Sequence, residues 1–484
     1  MKISILRKKL DDKEISAVEL TRLYLDRISA ADKLTDAYLY VNYDGAIKAA
    51  QSAQTIIDAK QSRPFTGIPI ALKDNLCTFD MPTTCSSKML DGFVPPYDAT
   101  VVAKLRGQGA VFLGKLNMDE FAMGASTKTS YYKKTKNPYD LTRVPGGSSG
   151  GSAAAVSVGL CAAALGSDTG GSIRQPASFC GITGHRPTYG FVSRSGCIAF
   201  ASSLDQIGPL ADTADDCAAL LTATAGRDIY DQTTADKTFD LKKSDKGIKG
   251  KRFGLIKELM GKEVDKDVSA AVKKAAEWFI NAGAVVEEVS LPMLTHAVPI
   301  YYLISSAEAA SNLAKFDGVR YGFRPEKTLN FFDMISKSRD EGFGWEVKRR
   351  IMLGSYALCS GYYDDYYKRA IKLCGIIKSQ YAEAFKKYDA LLSPVAPTTA
   401  YPFDKLPDDP AQMYLADICT VSAALAGLPS LSTPCGYDKD GMPIGLMITG
   451  KRFDDAAVLS AAGAYEKEFV RKPPQLKGVS EMKL

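Results

Sequence analysis

Histidine is nearly absent: His185 and His296 are the only two in 484 residues. A metal centre built from imidazoles is thereby close to excluded, and no metal site is expected. A Ser-His-Asp triad would have to use one of those two. The ten cysteines include no C-x-x-C pair, so neither a zinc ribbon nor a dithiol redox motif is on offer. Scattered thiols in a large chain without a secretion signal suggest the reducing cytoplasm, with cysteine serving as a small buried apolar group. The N-terminus, MKISILRKKLDDKE, turns charged too early for a signal peptide. The most apolar run, AAAVSVGLCAAALGS, is broken by Ser and Gly and is too weak to span a bilayer. Runs of five or six like charges are missing as well. The densest basic stretch, KKSDKGIKGKR (242–252), reads as a solvated linker, and the net charge of +6 neither requires nor excludes an RNA partner.

What is present suits a large α/β enzyme. A hydrophobic share of 46% can bury a substantial core. Ser16 and Glu19 form a capping box ahead of the amphipathic AVELTRLYLDRISA. A second helix is expected from Tyr43 to Lys60 and another from Thr100 to Gln108. GIPIALKDN and AVFLGKLN read as strands. KRFGLIKEL, DVSAAVKKAAEWFINAG and AVVEEVSLP read as strand, helix and strand, an alternation that argues for a sheet covered by helices. Residues 300–388 are mostly helical and rich in tyrosine. YDALLSP and PSLSTPCG read as buried strands, and PSLSTPCG turns at Asp440-Gly441 into GLMITG as a hairpin. DDAAVLSAAGAYEKEF closes the chain as a helix. The expectation is a single α/β/α layered domain over 1–484. Its parts are a helical N-terminal layer (1–62), a catalytic segment (63–215) and the remaining sheet and helices (216–484).

Chemistry concentrates in VPGGSSGGSAAAVSVGLCAAALGSDTGGSIRQPAS, residues 144–178. A flexible linker would not interleave its glycines with Ala and Val runs that pack as helix and strand. A phosphate cradle would carry a P-loop lysine or G-x-G-x-x-G in a strand-turn-helix context, and neither occurs. A serine nucleophile in a glycine-lined turn remains. Acyl transfer needs a hydroxyl beside backbone N–H groups that hold the developing oxyanion, and Thr169, Gly170, Gly171 and Ser172 can supply that nest. With so little histidine, the natural base is a lysine, and Lys73 ends the apolar strand PIALK. To be neutral at pH 7 it must drop about three pKa units from ~10.4, which desolvation can achieve. Taken alone, Lys73 reads equally as a surface lysine or a partner of Asp74, and composition does not choose.

PGGSSGGSAAAV followed by GSDTGGSIRQPA resembles the signature of the amidase signature family, and GIPIALKDN resembles its lysine strand. The likeness continues through GKLNMDEFAMG, PTYGFVSRSG, AFASSLDQIGP, EVKRRIMLG and LAGLPSLSTP, essentially the whole chain. NMDEFAMG, AFASSLDQIGP and KRRIMLGSYALCSGYYDDYYKRA are similar to the glutamine-hydrolysing A subunits of tRNA-dependent amidotransferases within that family. The resemblance implies a three-layer α/β/α fold with a central mixed sheet and a Ser-cisSer-Lys triad. In it Ser172 is the nucleophile, Ser148 the bridge after a cis peptide and Lys73 the base, with Ser149 in support. It implies Arg350 for the α-carboxylate of glutamine, with Arg349 next to it as the other choice, Asp417 for the α-ammonium, and Tyr301 nearby. It further implies a heterotrimer whose other members are a B-type kinase/transamidase subunit, which activates the substrate, and a small C-type subunit. In that assembly ATP and Mg²⁺ serve the partner, none is bound by this chain, and ammonia amidates Glu-tRNA(Gln), with Asp-tRNA(Asn) the second possible substrate. A stand-alone amidase acting on aryl or aliphatic amides would use the same triad. A catalytically silent scaffold would not keep all three residues. One departure from the family is His185-Arg186, where an apolar residue and lysine are common. It reads as a packing variation.

Overall fold

Strands rich in small and β-branched residues, bounded by Gly and Pro, build one eleven-stranded sheet in the computed structural model, which describes residues 2–240, 247–405 and 416–476. The strands are β1 (Tyr38–Val41), β2 (Pro69–Lys73), β3 (Val111–Leu116), β4 (Ala163–Asp168), β5 (Thr183–Arg186) and β6 (Gln206–Ala211), followed by β7 (Arg252–Ile256), β8 (Val285–Val289), β9 (Ala390–Pro394), β10 (Ser430–Tyr437) and β11 (Pro443–Gly450). Their order across the sheet is β1-β3-β2-β4-β6-β5-β10-β11-β9-β7-β8. β2 runs parallel to β3 and β4, and β7 runs parallel to β8 and β9. Between these flanks β4, β6, β5, β10, β11 and β9 pair antiparallel. The sheet is therefore mixed, and its parallel parts fall where the sequence alternates strand and helix.

Helices cover both faces, as amphipathic segments must to bury their apolar stripes. The Ser16–Glu19 capping box forms and starts Ala17–Thr35, which ends at Asp36 in a left-handed conformation (φ 54°). Tyr43–Asp58 and Thr100–Gly107 follow as expected. Lys266–Asn281 packs on β10, and Asp455–Glu466 on β10 and β11. Ala297–Asn312, Trp345–Leu358 and Arg369–Lys387 fill the tyrosine-rich stretch. Three strands were not legible in advance: β1, β5 and β6. β1 has only four residues and pairs at the sheet edge with β3, so the N-terminal segment is not helical throughout. The basic stretch 242–252 lies partly outside the described residues. No described helix is long and apolar enough to cross a membrane.

Register sets the site. Ala71 and Leu72 of β2 lie opposite Ala164 and Leu165 of β4, so both strands deliver their C-terminal ends to one place. The carboxyl ends of parallel strands are where open α/β sheets collect ligands. Here they bring Lys73 alongside Ser167 and Asp168.

Candidate active site

Lys73 is fully buried at the end of a strand whose residues are all buried. Its Nζ lies 2.7 Å from Ser148 Oγ, 3.0 Å from Ser167 Oγ and 3.2 Å from the Ser167 carbonyl oxygen. Asn75 Nδ2 donates to Ser167 Oγ at 2.9 Å. Burial pulls the lysine down to about 8, while the carboxylates of Asp119, Asp168 and Asp205 act in the opposite sense. At pH 7 the free base is thus the minority form, and it gains as pH rises through about 8. Asp74 is not its partner. That carboxylate faces Lys115 at 3.2 Å and accepts from Thr84 N at 2.9 Å.

Ser148 follows a cis Gly147–Ser148 peptide bond and opens the way into the buried helix Gly150–Ser157. Ser149 N donates to the Ser172 carbonyl oxygen at 3.1 Å, and Ser149 Oγ donates to that of Ser167 at 3.2 Å. These bonds tie the first serine segment to the second. Among the described residues the Ser148 and Ser172 hydroxyls are not hydrogen-bonded to each other. Ser172 is the most open of the triad, 8% exposed against none for Lys73 and Ser148.

The loop from Asp168 to Ile173 is held from below. Asp168 takes two hydrogen bonds from Arg174, each 3.0 Å, one from Ile173 N at 3.1 Å and one from Arg186 Nη1 at 3.1 Å. Burial opposes its charge, but the two guanidinium groups outweigh that and hold the carboxyl well below the ordinary range. Arg186 also donates to the Asp168 carbonyl oxygen and, at 2.7 Å, to that of Leu204. Thr169 Oγ1 is fixed by Asp205 Oδ1 at 2.6 Å. The glycines are required by close approach: a Cβ on Gly170 would lie 2.6 Å from Tyr301 Cζ, and one on Gly171 would collide with Thr420 Oγ1.

The first of those collisions leads to the residues that the resemblance assigns to recognition. Tyr301 presses on Gly170. Its neighbour Tyr302, which sequence reasoning passed over, donates to Asp417 Oδ2 at 2.7 Å. The Arg350 guanidinium lies 5.0 Å from the Tyr302 ring centroid and 5.4 Å from that of Phe200. Arg350 is buried and bonded to Glu346 Oε1 at 2.7 Å, whereas Arg349 is 20% exposed at its side chain and takes the other oxygen. Geometry therefore separates the two arginines. Burial lifts Asp417 to about 6, against the pull of the Tyr302 hydroxyl and Arg350.

Ser167, Asp168 and Arg174 were within the quoted motif but unassigned. Glu346 could have been found as the i,i+4 partner of Arg350. Asn75 and Asp205 carry no signal of their own. His185 lies buried on β5 with Nε2 3.1 Å from Asp455 Oδ1, a packing contact, while Arg186 reaches the loop. Among the described residues no cluster of three or more His, Cys, Asp or Glu is placed to hold a metal.

Residues 19–459 match the amidase family, and the chain belongs to it. Two relatives carry the name of the A subunit of glutamyl-tRNA(Gln) amidotransferase. That of Ruminiclostridium cellulolyticum is 54% identical over 469 residues, covering 96% of each chain. That of Caldanaerobacter subterraneus is 50% identical over 480 residues, 98% of each. A crystal structure of the Thermotoga maritima protein of that name is 40% identical, with a TM-score of 0.80 over 96% of this chain and 95% of the other. The peptide amidase of Stenotrophomonas maltophilia is 30% identical, with a TM-score of 0.84 over 99% of both.

Proposed function

We propose that this chain is the glutamine-hydrolysing A subunit of a tRNA-dependent amidotransferase, a carbon–nitrogen ligase that takes its nitrogen from glutamine. One observation carries the choice of glutamine over other amides. A buried cation and a half-buried anion, Arg350 and Asp417, meet at Tyr302, while the adjacent Tyr301 touches the glycine loop. An α-amino acid needs that pairing of charges, and an aryl amide does not.

Lys73 as free base draws a proton through Ser148 from Ser172, whose Oγ bonds to the side-chain carbonyl carbon of glutamine. The Ser148–Ser172 contact closes when substrate is seated, since catalytic hydrogen bonds commonly tighten only in the complex. Backbone N–H groups of 169–172 hold the tetrahedral oxyanion. Collapse breaks the carbon–nitrogen bond, the relay returns the proton to nitrogen, and ammonia leaves. Water then cleaves the γ-glutamyl ester to glutamate. Ammonia passes to a B-type partner subunit, where ATP and Mg²⁺ activate the Glu carried on tRNA(Gln). A small C-type subunit completes the heterotrimer, and work in the cytoplasm accords with this role.

The test is glutaminase activity of the purified chain, alone and with its partner subunits, ATP and charged tRNA. Turnover of glutamine that rises with the partners is expected. Efficient hydrolysis of aryl amides together with indifference to glutamine would overturn the proposal in favour of a stand-alone amidase.

A further inference from the structure

The segment NMDEFAMG supplies none of the triad or recognition residues, yet it touches both halves of the site. Asp119 N donates to the Ser148 carbonyl oxygen at 3.2 Å. The Asp119 carboxylate lies so close to Gly147 that no Cβ fits there, and it accepts from Ser126 N at 3.2 Å and Thr129 Oγ1 at 2.9 Å. The next residue, Glu120, is buried and faces the other way. Its two carboxylate oxygens accept from Gly344 N at 3.1 and 2.9 Å, and Ser87 Oγ donates to it at 2.5 Å.

Gly344 is the N-cap of Trp345–Leu358, the helix that carries Arg350, and that helix has no cap from its own side chains. A carboxylate on the N-cap N–H satisfies a donor that the helix leaves open and complements the positive end of its dipole. Phe121 packs on Phe343, with ring centroids 5.6 Å apart, so residues 120–121 grip residues 343–344 by two different kinds of contact. The backbone supports this precision at a cost. Phe121 (φ 48°) and Ala122 (φ 63°) are consecutive non-glycine residues in the left-handed region, a conformation that persists only where surroundings over-determine it.

We propose that Asp119-Glu120-Phe121 is a strut setting the distance between the serine loop and Arg350, and that Glu120 is a positioning residue for glutamine's α-carboxylate. It acts through the N-terminus of the arginine-bearing helix. This rests on Arg350 being the carboxylate ligand, as proposed above.

The experiment compares glutamine with 4-aminobutyramide, which keeps the amide and amine but lacks the carboxylate, in the assembled enzyme. Arg350→Ala sets the scale for losing carboxylate recognition. Glu120→Ala is expected to raise KM for glutamine about 10-fold with kcat within about 3-fold, and to change kcat/KM for 4-aminobutyramide by less than about 2-fold. Glu120→Gln keeps an acceptor for Gly344 N and should recover most of the loss. Gly344→Ala, whose Cβ would collide with Glu120 Oε2, should reproduce the Glu120→Ala pattern from the other side. Equal losses on both substrates, or an unchanged KM for glutamine while Arg350→Ala raises it, would overturn the strut. If Arg350→Ala itself fails to separate the two substrates, the assignment of Arg350 falls, and the strut's role with it.

Discussion

The two halves of the site are built on opposite plans. The chemical half, Lys73, Ser148, Ser167 and the 168–173 loop, comes from two neighbouring strand ends and the turn before the helix Gly150–Ser157, and it is largely buried, with hydroxyls and backbone groups as its working parts. The half proposed to recognise glutamine, Arg350, Asp417, Tyr301 and Tyr302, comes from separate helices and a later turn, and it offers full charges. The first must hold a base near neutrality, so charge is kept paired around it: Asp168 by two arginines, Asp74 by Lys115. The second is proposed to hold a zwitterion and offers Arg350, itself paired with Glu346, and Asp417. Reaction chemistry and substrate choice are thus separable in principle, although they touch where Tyr301 meets Gly170.

The strongest way to break that division is to remove the nucleophile. Ser172→Ala should lower glutamine hydrolysis by about 10⁴-fold or more, and Lys73→Ala by about 10³-fold. Ammonia-driven amidation by the assembled enzyme should survive both. Its collapse in well-folded variants would show that the serine loop does more than release ammonia. The lysine also sharpens the contrast through pH. The active form is the free base, so kcat/KM should climb as pH rises through about 8, and a profile flat from pH 6 to 9 would contradict a lysine base.

On the recognising side, Asp417→Asn should raise KM for glutamine by about 10- to 100-fold, the scale of a charged hydrogen bond, with kcat much less affected. Protonation does the same reversibly. Asp417 is ionised above about 6 and loses its hold on an ammonium below it, so the wild-type KM should rise as pH falls through that value. Steady-state kinetics beside thermal melts distinguish this from unfolding.

The smallest effects come from the pair 185–186. Arg186→Lys reduces a forked donor to a point charge under the oxyanion loop and should lower kcat by about 3- to 10-fold. His185→Leu should leave kcat/KM within about 2-fold while costing ~1–2 kcal/mol of stability through the Asp455 contact, read as a lower Tm. A reversed ranking would mean that the histidine, rather than the arginine, serves the site.

This same contrast governs what the sequence could disclose. The chemical half lies in a short, glycine-dense stretch whose composition suits little besides a catalytic turn, and its lysine ends a strand of continuous apolar residues. Helices with capping boxes or clear apolar faces were legible too. β1 was not, because it has only four residues, and β5 and β6 were not, because short strands with Gly, Pro or charge carry no alternating pattern. The proposed recognition residues were suggested by family resemblance alone. Tyr302 and Tyr301 differ by one position on a helix, about 100° of rotation, and no spacing rule says which faces Asp417. Arg186 went unread for a related reason: its partner Asp168 lies eighteen positions away on β4, which β6 separates from β5 in the sheet.

The enclosure of Lys73 bears on the route of its proton. Gripped by Ser148 and by two atoms of Ser167, with no surface open to solvent, the amine has no water of its own to trade with. In the proposed relay, a proton it takes up leaves by the hydroxyl through which it came.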